Sequence, residues 1–242
     1  MSTSSTHSPH TTPTISIIIP VYHEADRILT LLSTLDSTNN TPFELIVVDG
    51  APEQDTLAQL SGTTAIPLPS PPGRAVQMNH GAAIATGDIL LFLHADTELP
   101  PGGLTLIQKA LQDPQFKAGA FDLAITPATW GLRLIAATAT LRSRWTRVPY
   151  GDQAQFFRAD YFRAIGGYAE IPIMEDMEIM ERIRDRGEKI VLLRPAVRTS
   201  GRRWKKEGVV RGTLRNWYIR MLYHFGVGPE RLVGLYRVHK KG

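Results

Sequence analysis

The chain has 242 residues, 43% of them hydrophobic, and no cysteine. That length and apolar content suit one sizeable α/β domain or two small ones, and the missing cysteines exclude disulfides, thiolate metal sites and a cysteine nucleophile. A formal net charge of +4 conceals an uneven distribution: Arg194 to Gly242 holds 13 Lys and Arg against 2 Asp and Glu, which leaves −7 for residues 1–193. Such a basic end suits a diphosphate, an acidic membrane surface or nucleic acid, and equally a solvated surface.

Met1 to Thr14 is rich in Ser, Thr, Pro and His, with neither the basic start nor the apolar stretch of a secretory signal, and is expected to be a disordered tail. Ile15 to Ile19 and Phe43 to Val48 are β-branched apolar runs separated by a helical pattern over Ala25 to Leu35, a β-α-β opening. A short helix over Gln54 to Leu60 and a strand over Thr63 to Leu68 follow. Pro69 to Gly73 forces a loop, Arg74 to Ala85 a helix and Ile89 to Leu93 a strand. The alternation predicts an α/β fold with a mainly parallel sheet and helices on both faces. Neither G-x-G-x-x-G nor G-x-x-x-x-G-K-S/T follows a strand, which removes dehydrogenase and P-loop readings.

In the second half, Gly102 to Gln112 and Gly131 to Trp145 are predicted helices, the latter ending among Arg142, Arg144 and Arg147; Ala118 to Ile125 between them is a strand. Gln155 to Phe157 is a short strand and Asp160 to Ile165 a helix stopped by Gly166-Gly167. Asp176 to Arg186 forms a helix with Met177, Met180 and Ile183 inward, and Ile190 to Leu193 a final strand. No internal repeat is present. No uncharged apolar run approaches the roughly 18 to 20 residues that span a bilayer; Arg133 and Arg142 bound the run Leu134 to Leu141.

The strand Ile89 to Leu93 delivers His94-Ala95-Asp96-Thr97 to its carboxyl end, where open α/β sheets bind ligands. Hard oxygen ligands in such a loop suit Mg²⁺ or Mn²⁺ holding a diphosphate, although turn chemistry alone also places Asp there.

Taken together, Pro20-Val21-Tyr22-His23-Glu24, Val47-Val48-Asp49-Gly50, Gly73-Arg74-Ala75 with Gln77-Met78-Asn79 and Gly81, Gly87-Asp88 and His94-Ala95-Asp96 resemble an inverting family 2 glycosyltransferase of the GT-A fold. Tyr150-Gly151-Asp152-Gln153, Glu175-Asp176 and Arg202-Arg203-Trp204 resemble the subgroup named for its association with radical SAM and selenium-related domains. The resemblance runs from about Ile15 to Tyr236. It implies a nucleotide site of Pro20, Tyr22, Glu24, Asp49, Arg74, Asn79 and Ala95, in which Asp49 accepts from the base and Arg74 reaches base or diphosphate. It implies Asp176, beside Glu175, as the catalytic base. Asp152, Gln153, Arg202, Arg203 and Trp204 would meet the diphosphate or acceptor, the last three from a flexible basic loop. Asp96 would be the protein ligand to Mn²⁺ or Mg²⁺, with His94 as a second candidate that suits Mn²⁺ better.

This chain departs from the broad family at Asp49, which is followed by Gly-Ala-Pro rather than a second acid, and at His94, where the family often carries Asp. The expected organisation is a tail at 1–14, a GT-A domain at 15–200 and a basic loop with an amphipathic helix at 201–242. The expected function is metal-assisted transfer of a sugar, from a UDP-sugar or similar donor, to an acceptor the sequence does not identify, on the cytoplasmic side. Nucleic acid is not an expected partner. The rivals are a sugar nucleotidyltransferase, disfavoured because no Gly-rich loop follows the first strand, and a non-catalytic nucleotide- or anion-binding module.

A last helix is predicted over Val209 to Phe225, with Val210, Leu214, Trp217, Tyr218, Met221, Leu222 and Phe225 at helical spacing and Arg211 and Arg215 on another face. Such a stripe either covers the core or attaches peripherally to an anionic membrane.

Overall fold

A computed structural model describes residues 12–237; most of the tail, with His7 and His10, lies outside the described residues. Strand β1 (Ile15–Val21) is apolar almost throughout because both of its faces are covered, as parallel strands require. Its odd-numbered residues Ile15, Ile17, Ile19 and Val21 pack with Ile28, Leu31 and Leu35 of helix α1 (Ala25–Thr38). Ile18 faces the opposite layer, with Ala75, Met78 and Ala82 of α2 (Arg74–Ile84) and Ile179, Met180 and Ile183 of α6 (Glu175–Asp185).

The remaining strands are β2 (Phe43–Asp49), β3 (Ile66–Pro69), β4 (Ile89–Phe92), β5 (Thr97–Glu98), β6 (Phe116–Thr126), β7 (Phe156–Arg158) and β8 (Lys189–Ser200). They form one sheet in the order β3-β2-β1-β4-β7-β6-β8-β5. The mainly parallel expectation holds. β1 pairs in parallel with β2 and β4, β2 with β3, and β6 with β8, whereas β7 runs antiparallel to β4 and β6, and β5 antiparallel to β8. Helices α3 (Gly103–Ala110), α4 (Trp130–Thr146) and α5 (Ala159–Ala164) join these strands, and α7 (Arg202–Glu207), α8 (Val209–His224) and α9 (Pro229–Arg237) follow the sheet.

Several expectations change. The helix at Gln54 to Leu60 contracts to a 3₁₀ turn at Leu57–Leu60, because Gln54 takes a left-handed φ of 49° that an α-helix excludes. The final strand does not stop at Leu193: the β6 partner register steps from Phe121↔Leu193 to Asp122↔Ala196, so Arg194 and Pro195 bulge out and the strand continues. A bulge removes the need for the proline N–H the ladder would otherwise use. The expected basic loop at Arg202-Arg203-Trp204 is instead the helical turn α7. The apolar stripe of α8 does not cover the core; Gly212 and Ile219 face inward, while Val210, Leu214, Trp217, Tyr218, Met221 and Phe225 are exposed.

Gly119 of β6 is a packing constraint at the centre of this sheet. A Cβ there would lie 2.4 Å from the Phe156 ring and 2.5 Å from the Val191 carbonyl oxygen, and backbone cannot yield as a flexible side chain can. Gly119→Ala is therefore expected to lower stability by about 2–3 kcal/mol, as overpacked cores do. Urea unfolding should show a lower midpoint with an unchanged slope.

Candidate active site

The direction of β7 decides where the chemistry collects. β1, β2, β4, β6 and β8 all end at one edge of the sheet, and β7, running the other way, begins there. The segment that enters it, Tyr150 to Gln155 with a 3₁₀ turn at Gly151–Gln153, is thereby brought to the loops that trail the parallel strands. A cleft of about 490 Å³ opens at this edge, lined at its polar end by Arg74, His94, Asp96, Asp152 and Asp176.

Asp176 is held on both oxygens: Oδ2 accepts the Gly151 N–H at 2.7 Å and Oδ1 its neighbour Met177 N–H at 2.9 Å. Gly151 makes this close approach comfortable, since a Cβ would stand 3.0 Å from His94 Nε2 and 3.3 Å from Asp176 Oδ2. The imidazole and the carboxylate thus face the same small volume. Burial, aided by the Arg74 cation and opposed by Asp176, pushes the His94 imidazole down to about 3, so it is neutral at physiological pH. Glu175, one residue before Asp176, is fully buried and paired with Arg74 Nε. Burial raises its pKa and Arg74 opposes that rise. Met174, just ahead, takes a left-handed φ of 71° to turn the chain into α6, a conformation that costs about 1–3 kcal/mol outside glycine.

Asp152 sits in the same group. Burial, then the neighbouring Asp176, push its carboxyl up to about 6, while Arg142, Arg74 and Arg220 pull against them. Its Oδ1 is buried and has no hydrogen-bond partner.

Asp49 closes β2 with Oδ1 accepting the Ala51 N–H at 2.8 Å and a buried, unpartnered Oδ2. Such an oxygen is suited to accept an N–H from a bound base. Beside it Gln77 donates to the carbonyls of Val21 and Val48 at 2.7 and 2.8 Å, fastening the ends of β1 and β2. Pro20 lies within β1 opposite Val48, and Tyr22 projects half-exposed just beyond it. Glu24 forms ion pairs with Arg27 at 3.9 Å and Arg202 at 3.7 Å. Burial lifts its pKa, Arg27 lowers it and Asp96 adds a further rise.

Asp96 is likewise raised by burial, with its own N–H, Arg27, Thr97 and Thr199 easing its charge. Among the described residues, no three His, Asp or Glu side chains converge as a metal cage. One shielded carboxylate, Asp96, fits a cation whose other ligands are phosphate oxygens and water, the usual arrangement for Mg²⁺ and its relatives, and the neutral His94 imidazole lines the same cleft.

Two of the expected site residues are engaged by the fold itself. Asn79 engages both ends of its amide with the Tyr168 backbone, donating to its carbonyl at 2.9 Å and accepting its N–H at 3.0 Å. Gln153 is buried, donates to the Phe121 carbonyl at 2.8 Å and accepts from Ser143 Oγ at 2.6 Å. Each amide thereby braces the fold. Ala95 is buried and packs in the core below the cleft. Arg202 reaches Glu24 and Trp204 lines the cleft; the side chain of Arg203 is outside the described set.

The structure also adds residues with no sequence-derived role. The Tyr150 ring lies beneath the Arg142 guanidinium, 3.4 Å from ring centroid to Cζ, and its hydroxyl bonds to Arg220 at 3.0 Å. Gln155 donates to the carbonyls of Pro149 and Asp176, both at 2.9 Å, and accepts from Tyr168 at 2.8 Å. A signal for Arg142 exists: it follows Ile135 and Ala139 at i+7 and i+3, on the helix side that lines the cleft.

A sheet of this order, with its polar groups gathered at the carboxyl ends of the parallel strands, has the GT-A fold. The chain belongs to glycosyl transferase family 2, whose model matches residues 16–165. It is 28% identical over 188 residues to an uncharacterized glycosyltransferase of Mycobacterium tuberculosis, covering 70% of this chain and 68% of the relative. Among solved structures it resembles a mannosyltransferase from Pyrobaculum calidifontis in complex with GDP-Man and Mn²⁺, with a TM-score of 0.60, 19% identity and coverage of 90% and 63% of the two chains. It also resembles S. aureus TarS in complex with UDP, with a TM-score of 0.60, 15% identity and coverage of 77% and 60%. The chain spans between 34% and 68% of the curated relatives it matches and under two thirds of these solved structures.

The raised carboxyl of Asp152 has a consequence for stability. A carboxyl whose folded pKa exceeds its unfolded value near 4 contributes stability below that value and loses it as pH rises through about 6. Asp152→Asn should therefore leave stability unchanged near pH 4 and raise it near pH 8, by up to about 3 kcal/mol. Melting curves of both proteins across that range test it, the expected result being a gap that opens between pH 4 and pH 7.

Proposed function

We propose that this glycosyltransferase uses a nucleoside-diphosphate sugar, with UDP as the favoured nucleotide, and inverts the anomeric carbon in a single displacement. The carrying observation is the placement of Asp176, oriented by the Gly151 N–H in the same cleft as Arg74 and Asp96. In this reading Asp176 takes the proton of the acceptor hydroxyl as its oxygen attacks the sugar. The bond from the sugar to the diphosphate breaks, and the nucleoside diphosphate leaves with the electron pair. An in-line attack on the face opposite the leaving group inverts the centre, as in single-displacement glycosidases. Asp49 would accept from the base, Tyr22 would supply its apolar shelf and Arg74 would meet the diphosphate.

Asp96, with His94 of the same loop as a second candidate, would hold Mn²⁺ or Mg²⁺, which would supply Lewis-acid neutralisation of the departing diphosphate. Asp152 would lie next to the transferred sugar or acceptor, its unpartnered oxygen suited to a sugar hydroxyl. The later motifs keep the radical SAM-associated subgroup as the proposed branch of the family. A cytoplasmic-side location and a GT-A unit ending near Ser200 belong to the same reading. The competing reading, a nucleotide-binding module without turnover, is favoured by the single acid at Asp49, and a donor-hydrolysis assay separates the two.

Asp176→Asn is expected to reduce turnover by about 10²- to 10⁴-fold, the usual worth of a general base, while leaving UDP affinity within about twofold, since the base acts on the acceptor proton in the transition state. Donor-hydrolysis kinetics and calorimetry measure the two effects; a variant that turns over at the wild-type rate overturns the assignment. Asp96→Ala should abolish the strengthening of UDP binding by Mn²⁺, and calorimetry showing an unchanged metal response would remove Asp96 as ligand. The β product from an α-linked donor, read by NMR, is the expected stereochemical outcome.

A further inference from the structure

Among the described residues, most exposed aromatic side chains lie on or at the end of two helices. Of the four tryptophans, Trp130 and Trp145 on α4 are 82% and 87% exposed and Trp217 on α8 is 70% exposed. On α4 they form a stripe with Leu134 and Leu141, and on α8 Trp217 joins Val210, Leu214, Met221 and Phe225. The successive spacings are four, seven and four on α4 and four, three, four and four on α8, so each stripe occupies one narrow face of its helix. The helices meet at their starts, where a Cβ on Gly131 would lie 3.4 Å from Val209 Cγ1. Their other sides wall the cleft: Ile135 and Ala139 from α4, and Asn216, Ile219 and Arg220 from α8.

Charge identifies what covers this surface. The two helices together contain six arginines and no acid. Arg142 and Arg220 hold Tyr150, and Arg144 and Arg215 face Asp122 and Glu207. Arg133 of α4, Arg147 at the cap that ends it and Arg211 of α8 are exposed on the same two helices as the apolar stripes. A second copy of the chain would bring these arginines against their own kind, which is unfavourable. An anionic bilayer accepts tryptophan and aliphatic side chains at its interface and attracts the arginines beside them.

We propose that the outer faces of α4 and α8 form a docking surface for an anionic lipid bilayer. Docking there sets the bilayer against the helices whose inner sides wall the cleft. The surface itself is independent of the transfer reaction, which its test does not use.

The full chain is sedimented with vesicles of phosphatidylcholine alone and of equal parts phosphatidylcholine and phosphatidylglycerol, at ~0.05 M and ~0.5 M salt. Binding is expected to the phosphatidylglycerol vesicles, to weaken at least about tenfold at the higher salt as screening removes the arginine attraction, and to shift tryptophan emission to the blue. The double variant Trp130→Glu/Trp217→Glu should lose about tenfold or more in vesicle affinity with an unchanged melting temperature and UDP affinity. Should that variant be unstable, Arg133→Gln/Arg211→Gln keeps the apolar face and should weaken binding at low salt alone. Wild-type protein that ignores the anionic vesicles at low salt, stable variants that bind them equally well, or a wild-type dimer that the tryptophan variant dissociates would each overturn the proposal. A protein that binds vesicles but no nucleotide would instead count against the transfer reading.

Discussion

Glu175 cannot be buried alone. A carboxylate withdrawn from water is costly unless a cation and hydrogen bonds replace the lost solvation, and Arg74 provides both. The two residues belong to opposite halves of the chain, Arg74 opening α2 and Glu175 opening α6, so the requirement fastens these helices across the cleft. Removing either partner from such a pair is typically worth about 3–5 kcal/mol, whereas its net contribution to stability is small. Its effect is therefore positional. Adjacent residues at the start of a helix point about 100° apart, so burying Glu175 turns Asp176 to the cleft.

The same cleft depends on one reversal in the sheet. Parallel strands deliver their trailing loops to a single edge and carry their entering loops to the other. Because β7 runs against its neighbours, the turn at Gly151–Gln153 enters at the edge where β1, β2 and β4 leave. Gly151 can then donate to Asp176, and Gln155 can hold the carbonyl of the same residue. Crowding follows: Asp152 and Asp176 share a shielded space with three arginines, and the balance of burial against charge raises the Asp152 carboxyl. Perturbation of this kind collects where groups are positioned for chemistry rather than for stability.

The parallel half was legible in the sequence because it is periodic. Strands buried on both faces appear as continuous β-branched runs, and helices between them follow from the 3.6-residue repeat. Loop carboxylates at Asp49 and Asp96 were legible for the same reason, since a strand end fixes where its next residues go. Long-range pairing was not. Nothing local in Asn79 or Gln153 distinguishes an amide that faces ligand from one that braces Tyr168 or Phe121, and both appeared as site residues. Pro195 concealed the continuation of β8, because a bulge set by the register of β6 is invisible from one strand. The stripe on α8 was visible as a pattern, but periodicity marks an apolar face without saying which way it turns.

That orientation changes the meaning of the basic C-terminal segment. Its charge is divided by depth. Arg220 bonds Tyr150 from below the helix surface, Arg202 reaches Glu24 across the loop after β1, and Trp204 and Ile219 close one wall of the cleft. Because Arg220 and Ile219 belong to α8, that helix is part of the site and cannot be moved without disturbing it. Its aromatic residues are consequently fixed outward by the same packing that directs Arg220 inward, because one α-helix presents both faces at a constant angle. The orientation of the cleft and the orientation of the exposed Trp217 surface are thus fixed together by the packing of α8.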